Sequence, residues 1–191
     1  TLPAREVGGD FYDFLPIDDG RLGLIIGDVS DKGVSAAMIM ASTISTLRFA
    51  AEQQESPREI LAAVNRRLYN DTFRQMFAAV CIAVLDEHAL TMRFTNAGLP
   101  KPLLLRRGES FLIEWSDDGV HYPLGMVEDA VFHEELLELE RGDILVFYTD
   151  GITESTNVTD EEFGVRRLRD SVLSSPASSA TMITSTLRMG C

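Results

Sequence analysis

Three aspartates occupy positions where a carboxylate is costly unless its charge is compensated. Asp28 and Asp150 each follow an apolar run that predicts a core strand, and Asp10 follows two consecutive glycines. A carboxylate at the end of a core strand requires a hydrogen bond, an ion pair or a bound cation. No lysine or arginine adjoins any of the three in the sequence. A hard, oxygen-seeking cation such as Mg²⁺ or Mn²⁺ would relieve the repulsion among converging carboxylates.

Glycine residues beside these aspartates favour the same interpretation. Gly9, Gly27 and Gly151 each adjoin one of them. Glycine allows the backbone to turn sharply and to come close to a ligand. For any one aspartate alone, a turn residue that caps its own backbone is the ordinary interpretation. Three such positions at strand ends favour a metal-binding centre over three separate turns.

The overall charge restricts the classes of partner. The 191 residues include 17 Lys and Arg against 30 Asp and Glu, a formal net charge of −13 at pH 7. A nucleic-acid backbone and an anionic membrane both need a positive protein face, so neither is the expected main partner. The same charge disfavours a two-metal nuclease. The length predicts one domain, and because we find no apolar run of about 18 residues, we expect no membrane segment.

The cysteine and histidine residues indicate which kind of metal could bind and in which compartment the protein is expected. Cys81 lies in an apolar run, which predicts a small buried side chain, and Cys191 is the last residue. Two thiols so placed form no disulfide framework, which indicates a reducing compartment and a cytoplasmic location. The three histidines show no zinc-like spacing, so oxygen atoms would have to hold any metal.

Elements of two kinds must position these side chains. An apolar hairpin is predicted first, and then two helices, the second of which starts at a capping box with proline at its first position. More strands follow, with two further chain reversals, and then a last helix. This order predicts an α+β layered domain with a mainly antiparallel sheet. The predicted strands are 11–17, 22–26, 77–85, 90–95, 102–107, 111–115, 132–139 and 143–149, and the helices carry Met40, Ile44, Leu47 and Ala51, then Ser56 to Leu68, and finally Val165, Leu168 and Val172.

Six short motifs in the sequence resemble those of a known family. The motifs resemble those of PPM/PP2C-type serine/threonine phosphatases in the SpoIIE/RsbU branch, and they occur in the family's order over almost the whole chain. Each short string is weak by itself, whereas the ordered set is specific. The motifs are Gly8 to Asp13, Gly27 to Gly33, Asn96 to Gly98, Pro123 to Gly125, Tyr148 to Glu154 and Glu162 to Gly164.

The resemblance implies a fold and a metal centre. The fold is a PP2C-like α/β-sandwich of two mainly antiparallel sheets flanked by helices, with two Mn²⁺ or Mg²⁺ ions bridged by the water that attacks phosphorus. Carried over by motif, Asp10 and Asp28 bind metal, Asp28 bridges the ions, and the carbonyl of Val29 adds a ligand. Asp150 holds the first ion. No side chain acts as nucleophile, and Arg5 is a candidate ligand of the substrate phosphate.

The resemblance also implies a function and partners. The expected activity is metal-dependent hydrolysis of phosphoserine or phosphothreonine in an anti-sigma-factor antagonist, within a bacterial stress response. An upstream sensor or receiver domain would regulate it through the two helices after Asp28, and a homodimer is an open alternative. We expect residues 1–191 to be one phosphatase domain, truncated at both ends. Because the family's terminal Asp-Asp motif is not in this sequence, we expect one metal ligand to be missing. The rival interpretation is a pseudo-phosphatase that serves as an interaction or dimerisation module.

Overall fold

The computed structural model describes residues 9–18, 20–30, 33–53, 56–71, 76–107, 109–113 and 120–174. The chain divides into two compact units. The first comprises residues 1–99 and 115–139, and the second comprises residues 100–114 and 140–191. The elements in chain order are β1 (Asp10–Asp18), β2 (Arg21–Val29), α1 (Val34–Ala51), α2 (Pro57–Asp71), β3 (Ala78–Asp86), β4 (Thr91–Ala97), β5 (Leu103–Arg106), β6 (Glu109–Leu112), β7 (Glu135–Glu138), β8 (Ile144–Val146), α3 (Asp150–Thr153) and α4 (Gly164–Ser174).

The first unit contains a five-stranded sheet in the order β1-β2-β3-β4-β7, and each neighbouring pair is antiparallel. The predicted β1–β2 hairpin is confirmed, and β3 follows β2 in a register nine residues long. Strand β4 differs from the half-exposed strand that alternation predicted. Thr91 to Phe94 alternate between half-buried and buried as predicted, but the residues from Phe94 to Ala97 are all buried.

Helices α1 and α2 pack on one face of this sheet. Alternate residues of β1, β2 and β3, among them Phe11, Ile25 and Val80, join the two helices in one core. Side chains alternate between the faces of a strand, so the neighbours of these core residues point to the opposite face. The helices thus cover one face of the sheet and leave the other for Asp10 of β1 and Asp28 of β2.

Helix α1 corrects one expectation. By length and composition it is long and apolar enough to cross a membrane, with a mean hydropathy of 1.4 over 18 residues. The expectation that the chain contains no such segment is therefore wrong by this criterion. Within the first unit α1 contacts α2, β1 and β2 and buries Leu47 completely, although only 22% of the 18-residue window is buried.

The start of α2 also differs in detail from the sequence prediction. Pro57 is its first residue, as predicted. The hydroxyl of Ser56, which a capping box would direct at the amide of Glu59, instead donates to Glu134 Oε2 at 2.7 Å. The amide of Glu59 donates to the Ser56 carbonyl oxygen at 3.0 Å. A contact between residues distant in sequence therefore replaces the local cap.

The second unit contains a three-stranded sheet in the order β6-β5-β8, which confirms the predicted β5–β6 hairpin. Leu168 and Val172 of α4 pack against β5 and Tyr148. The side chain of Asp143 accepts two hydrogen bonds from Arg106, at 2.9 and 2.6 Å. These strands have three or four residues each, whereas β1, β2 and β3 have nine.

Candidate functional site

Two of the predicted metal ligands lie directly opposite each other. Asp10 of β1 and Asp28 of β2 are cross-strand partners in the antiparallel register. The amide of Val29 donates to the Gly9 carbonyl oxygen at 3.2 Å, so residues 9 and 29 form a hydrogen-bonded pair. The next pair, Asp10 with Asp28, is therefore of the non-hydrogen-bonded type, whose Cα atoms lie about 4.5 Å apart and whose side chains approach most closely. The sheet thus places two carboxylates side by side on one face.

Gly9 allows this close arrangement. A Cβ atom on Gly9 would lie 2.8 Å from Asp28 Oδ1 and would collide with the carbonyl oxygen of Val29. Cβ atoms do not approach backbone oxygen so closely, so a larger residue would push β1 away from the end of β2. Position 9 therefore requires glycine, because no Cβ atom fits beside the Asp28 carboxylate.

The end of β2 is fixed on both sides. The Val29 side chain is buried in the core with the two helices, 1% exposed. The next residue, Ser30, donates its amide to the Phe77 carbonyl oxygen at 2.9 Å and accepts the Phe77 amide on its hydroxyl at 2.9 Å. Asp28 therefore lies two residues before the anchored Ser30, which restricts the backbone at the end of β2.

Asp13, a further acid on β1, has a different role from Asp10 and Asp28. Asp13 lies three residues from Asp10, on the other face of the strand, and accepts two hydrogen bonds from Arg48 of α1, at 2.6 and 2.9 Å. The Arg48 guanidinium holds the pKa of the Asp13 carboxyl below its ordinary value of 3.8. Asp13 thus connects α1 to β1 through an ion pair.

Exposed aromatic rings continue the row that the paired carboxylates begin. Tyr12 is 73% exposed and Phe14 is 55% exposed, and their rings meet edge to face with centroids 6.1 Å apart. Both side chains share the face of Asp10, since they follow it at two-residue intervals along β1. The face of the carboxylates therefore has apolar surface next to it on an edge strand.

Asp150 and Arg5 are not part of this arrangement. Asp150 was expected to end a strand, but β8 stops at Val146 and Asp150 is instead the first residue of α3 in the second unit. Its part in a shared site stays a prediction. Arg5 lies outside the described residues. In the described part of the chain, no group of three or more His, Cys, Asp or Glu is placed to hold a metal ion.

Two buried asparagines shape the loops of the first unit. Asn96, in one of the recognised motifs, accepts the amide of Leu99 at 3.1 Å and donates to its carbonyl oxygen at 2.7 Å. Asn65 of α2 donates to the carbonyls of Val127 and Glu128, both at 2.9 Å, and accepts the amide of Gly125 at 2.8 Å. Sequence analysis missed Asn65, although a polar residue on the apolar face of Leu61, Val64 and Leu68 is a signal for it.

Comparison with solved structures defines the class first. The RsbU and RsbW domains of Rv1364c from Mycobacterium tuberculosis match 99% of this chain with a TM-score of 0.81 and 27% identity, over 52% of that chain. Similarity to the PP2C phosphatase domain of SpoIIE from Bacillus subtilis, at 17% identity and a TM-score of 0.82, shows the fold alone. The fold is therefore that of PP2C phosphatase domains, as predicted.

The family follows from the sequence. The family model described as Stage II sporulation protein E (SpoIIE) matches residues 18–190, and this chain belongs to that family. It is 32% identical to Protein IcfG of Synechocystis sp. over 89% of its length, and 29% identical to phosphoserine phosphatase RsbP of Bacillus subtilis over 80%. The chain spans only 31% and 38% of those two relatives. The predicted family is therefore confirmed.

Proposed function

We propose that this chain is the catalytic part of a metal-dependent protein serine/threonine phosphatase that hydrolyses phosphoserine or phosphothreonine. The observation that carries the proposal is the side-by-side pair of Asp10 and Asp28 on one face of the sheet. Like charges directly opposite each other destabilise a pair of strands. A divalent cation between the two carboxylates would attract both of them and would compensate their repulsion.

The donor set fits a hard cation. Asp10 and Asp28 supply carboxylate oxygens, and the carbonyl oxygen of Val29 lies at the same end of β2, which suits Mg²⁺ or Mn²⁺. These ions keep several waters, so a site with few protein ligands is compatible with them. When bound, such ions supply Lewis-acid chemistry, because they neutralise phosphoryl charge and acidify water. The assignment of two ions, and of Asp150 to the first of them, is proposed on the family resemblance.

The residues around Asp10 and Asp28 hold the two carboxylates in position. The hairpin register sets the spacing between Asp10 and Asp28, the glycine at position 9 leaves room for it, and Val29 fixes the backbone to the core. A charged pair held this way needs little rearrangement when the ion and a phosphate arrive. Such preorganisation is the main contribution of a protein to electrostatic catalysis.

We also propose the biological setting. The named relatives include phosphoserine phosphatases, and a structural relative carries RsbU and RsbW domains in one chain. These similarities support an anti-sigma-factor antagonist as the phosphorylated substrate and a sensor or receiver domain as the regulator. We also propose a cytoplasmic location, a homodimer and a role in a stress response. These remain proposals because the chain covers less than half the length of each of these relatives.

A phosphatase assay tests the activity. A phosphoserine peptide is incubated with the chain in Mn²⁺, in Mg²⁺ and in EDTA, and released phosphate is measured. We expect turnover with either metal and none in EDTA. Asp28→Asn should lower the rate by two or more orders of magnitude while the circular dichroism spectrum is retained, since relief of repulsion does not harm the fold.

The control is Asp13→Asn, the same change on the same hairpin but on the other face. This variant should keep its metal dependence, because Asp13 pairs with Arg48. Equal rates with and without EDTA would refute the proposal. Mn²⁺ binding that Asp28→Asn abolishes, with no turnover of any phosphopeptide, would favour the pseudo-phosphatase instead.

A further inference from the structure

The second unit has a groove of about 590 Å³ between strand β6 and helix α4. Its apolar rim includes Leu112, 44% exposed, and Val165, 39% exposed. Arg166 and Arg169 line the same groove from α4, and both are exposed. Two guanidinium groups beside apolar surface create a local positive field in a chain of net charge −13.

The geometry of α4 directs these arginines toward β6. Leu168 and Val172 form the buried face of the helix, while Val165, Arg166 and Arg169 share an adjacent face at three- and four-residue spacing. On β6, the residues opposite Leu103 and Leu105 are Leu112 and Ser110, so those two side chains lie on the sheet face that α4 covers.

Strand β6 is an edge of its sheet. It pairs with β5, and within the residues that the structure describes it has no second partner strand. The outer side of an edge strand presents alternating N–H and C=O groups that can pair with another chain. Phe111, 47% exposed, lies on the face opposite Leu112 and Ser110, because successive residues alternate.

We propose that this groove binds an extended acidic segment of a partner protein by strand addition to β6. Acidic side chains at alternate positions of the segment face Arg166 and Arg169, and the apolar side chains between them contact Phe111. Main-chain hydrogen bonds supply affinity in this mode of recognition, and alternate side chains supply specificity. The surface is distinct from the paired carboxylates of the first unit and does not rest on phosphatase activity.

The arginines are suited to an external partner. The nearest acid to Arg169 is its neighbour Asp170, at 3.7 Å, and the two side chains are 46% and 61% exposed. An ion pair so long and so exposed contributes little, because solvent screens it. Arg166 is exposed, so its guanidinium group is accessible to solvent. Arginine is also the cation best suited to grip carboxylates, since its donors form a planar fork.

Direct binding tests the proposal. The probe is a fluorescein-labelled peptide of sequence Glu-Val-Asp-Val-Glu-Val-Asp-Val, whose binding to the full chain is followed by fluorescence anisotropy. We expect saturable binding that weakens as NaCl rises. The variant R166E/R169E should bind at least about tenfold more weakly, and the control R58E/R141E, with the same charge change at exposed arginines elsewhere, should bind as the wild type.

A second probe set tests strand addition itself. Two peptides carry N-methyl groups, one at the odd and one at the even positions. In a strand that pairs along one edge, only alternate residues direct their N–H groups to the partner. One methylated peptide should therefore lose binding while the other keeps it. Equal binding by both peptides, or wild-type affinity of R166E/R169E, would overturn the proposal, as would displacement of the probe by single-stranded DNA.

Discussion

The two units of this protein hold their acidic residues in different ways. In the first unit, Asp10 and Asp28 are fixed by a long hairpin register, with an anchored turn directly after Val29. In the second unit, Asp150 starts a four-residue helix after a strand of three residues and is exposed. A long ladder fixes the relative position of two side chains, whereas a short helix fixes only its own backbone. The first unit therefore carries the better-defined half of the proposed chemistry.

The acids that bind arginine show a second contrast. Asp143 in the second unit pairs with an arginine that is 26% exposed, whereas the Arg48 partner of Asp13 in the first unit is 59% exposed. Solvent screens the more exposed pair more strongly. Of these two ion pairs, the one between Arg106 and Asp143 should contribute more to stability.

Of the substitutions that compare the two units, Gly9→Ala should weaken metal binding most. The new Cβ would meet the Val29 carbonyl oxygen and Asp28 Oδ1, so β1 must shift away from the pair. We expect Mn²⁺ affinity and phosphatase rate to fall at least about tenfold, with a cost to stability of about 1–3 kcal/mol from overpacking. Calorimetric titration with Mn²⁺ measures the first effect and urea unfolding the second.

The matched control for that variant is Gly142→Ala in the second unit. Gly142 has a φ of 93° and no atom within 4 Å of a new Cβ. Alanine there would therefore strain the backbone but would not collide with a neighbouring atom. We expect a stability loss of about 1–2 kcal/mol and unchanged metal affinity. If Gly142→Ala weakened Mn²⁺ binding as much as Gly9→Ala, the contrast between the units would fail.

An effect confined to stability is expected for Asn65→Leu. The substitution removes three hydrogen bonds that join α2 to residues 125–128. We expect the free energy of unfolding to fall by about 2–3 kcal/mol, since backbone groups lose their partners inside the fold. Asn70→Ala removes one exposed bond within α2 and should cost far less. Equal stability of the two variants would show that Asn65 does not hold this loop.

The smallest effect is a pH dependence in the second unit. Hydrogen bonding to Arg106 lowers the pKa of Asp143 below its ordinary value of 3.8. The pair therefore stabilises the folded state above about pH 4, and the stabilisation is lost as the pH falls through the lowered pKa. The difference in unfolding free energy between wild type and Asp143→Asn should be constant near pH 7 and should shrink as the pH falls below 3.8.

Asp170→Asn is the control, because Asp170 is exposed and its only described ion pair is long. Its unfolding free energy should follow that of the wild type at every pH. Asp13→Asn in the first unit should show the same pH window as Asp143→Asn with a smaller amplitude. A wild-type advantage that grew on acidification would contradict the assigned direction of the pKa shift.

Local pattern was sufficient for most elements of the fold. Apolar alternation and turn residues predicted the β1–β2 and β5–β6 hairpins, and helical spacing predicted α1, α2 and α4. The burial of Cys81 was also predicted, and burial raises the pKa of its thiol to about 12. These features depend on neighbours within a few residues, and a sequence displays such neighbours directly.

Long-range pairing was decided only by tertiary structure. Strands β7 and β8 are separated by five residues, yet β7 pairs with β4 and β8 pairs with β5, in different sheets. The sequence singled out Asp10 and Asp28 by residue type and by motif, but their shared row on one face follows from the hairpin register. A one-residue slip would move a side chain to the other face, so register controls chemistry here. The sequence by itself determined which residues could bind a metal, and the strand pairing determined which of them meet.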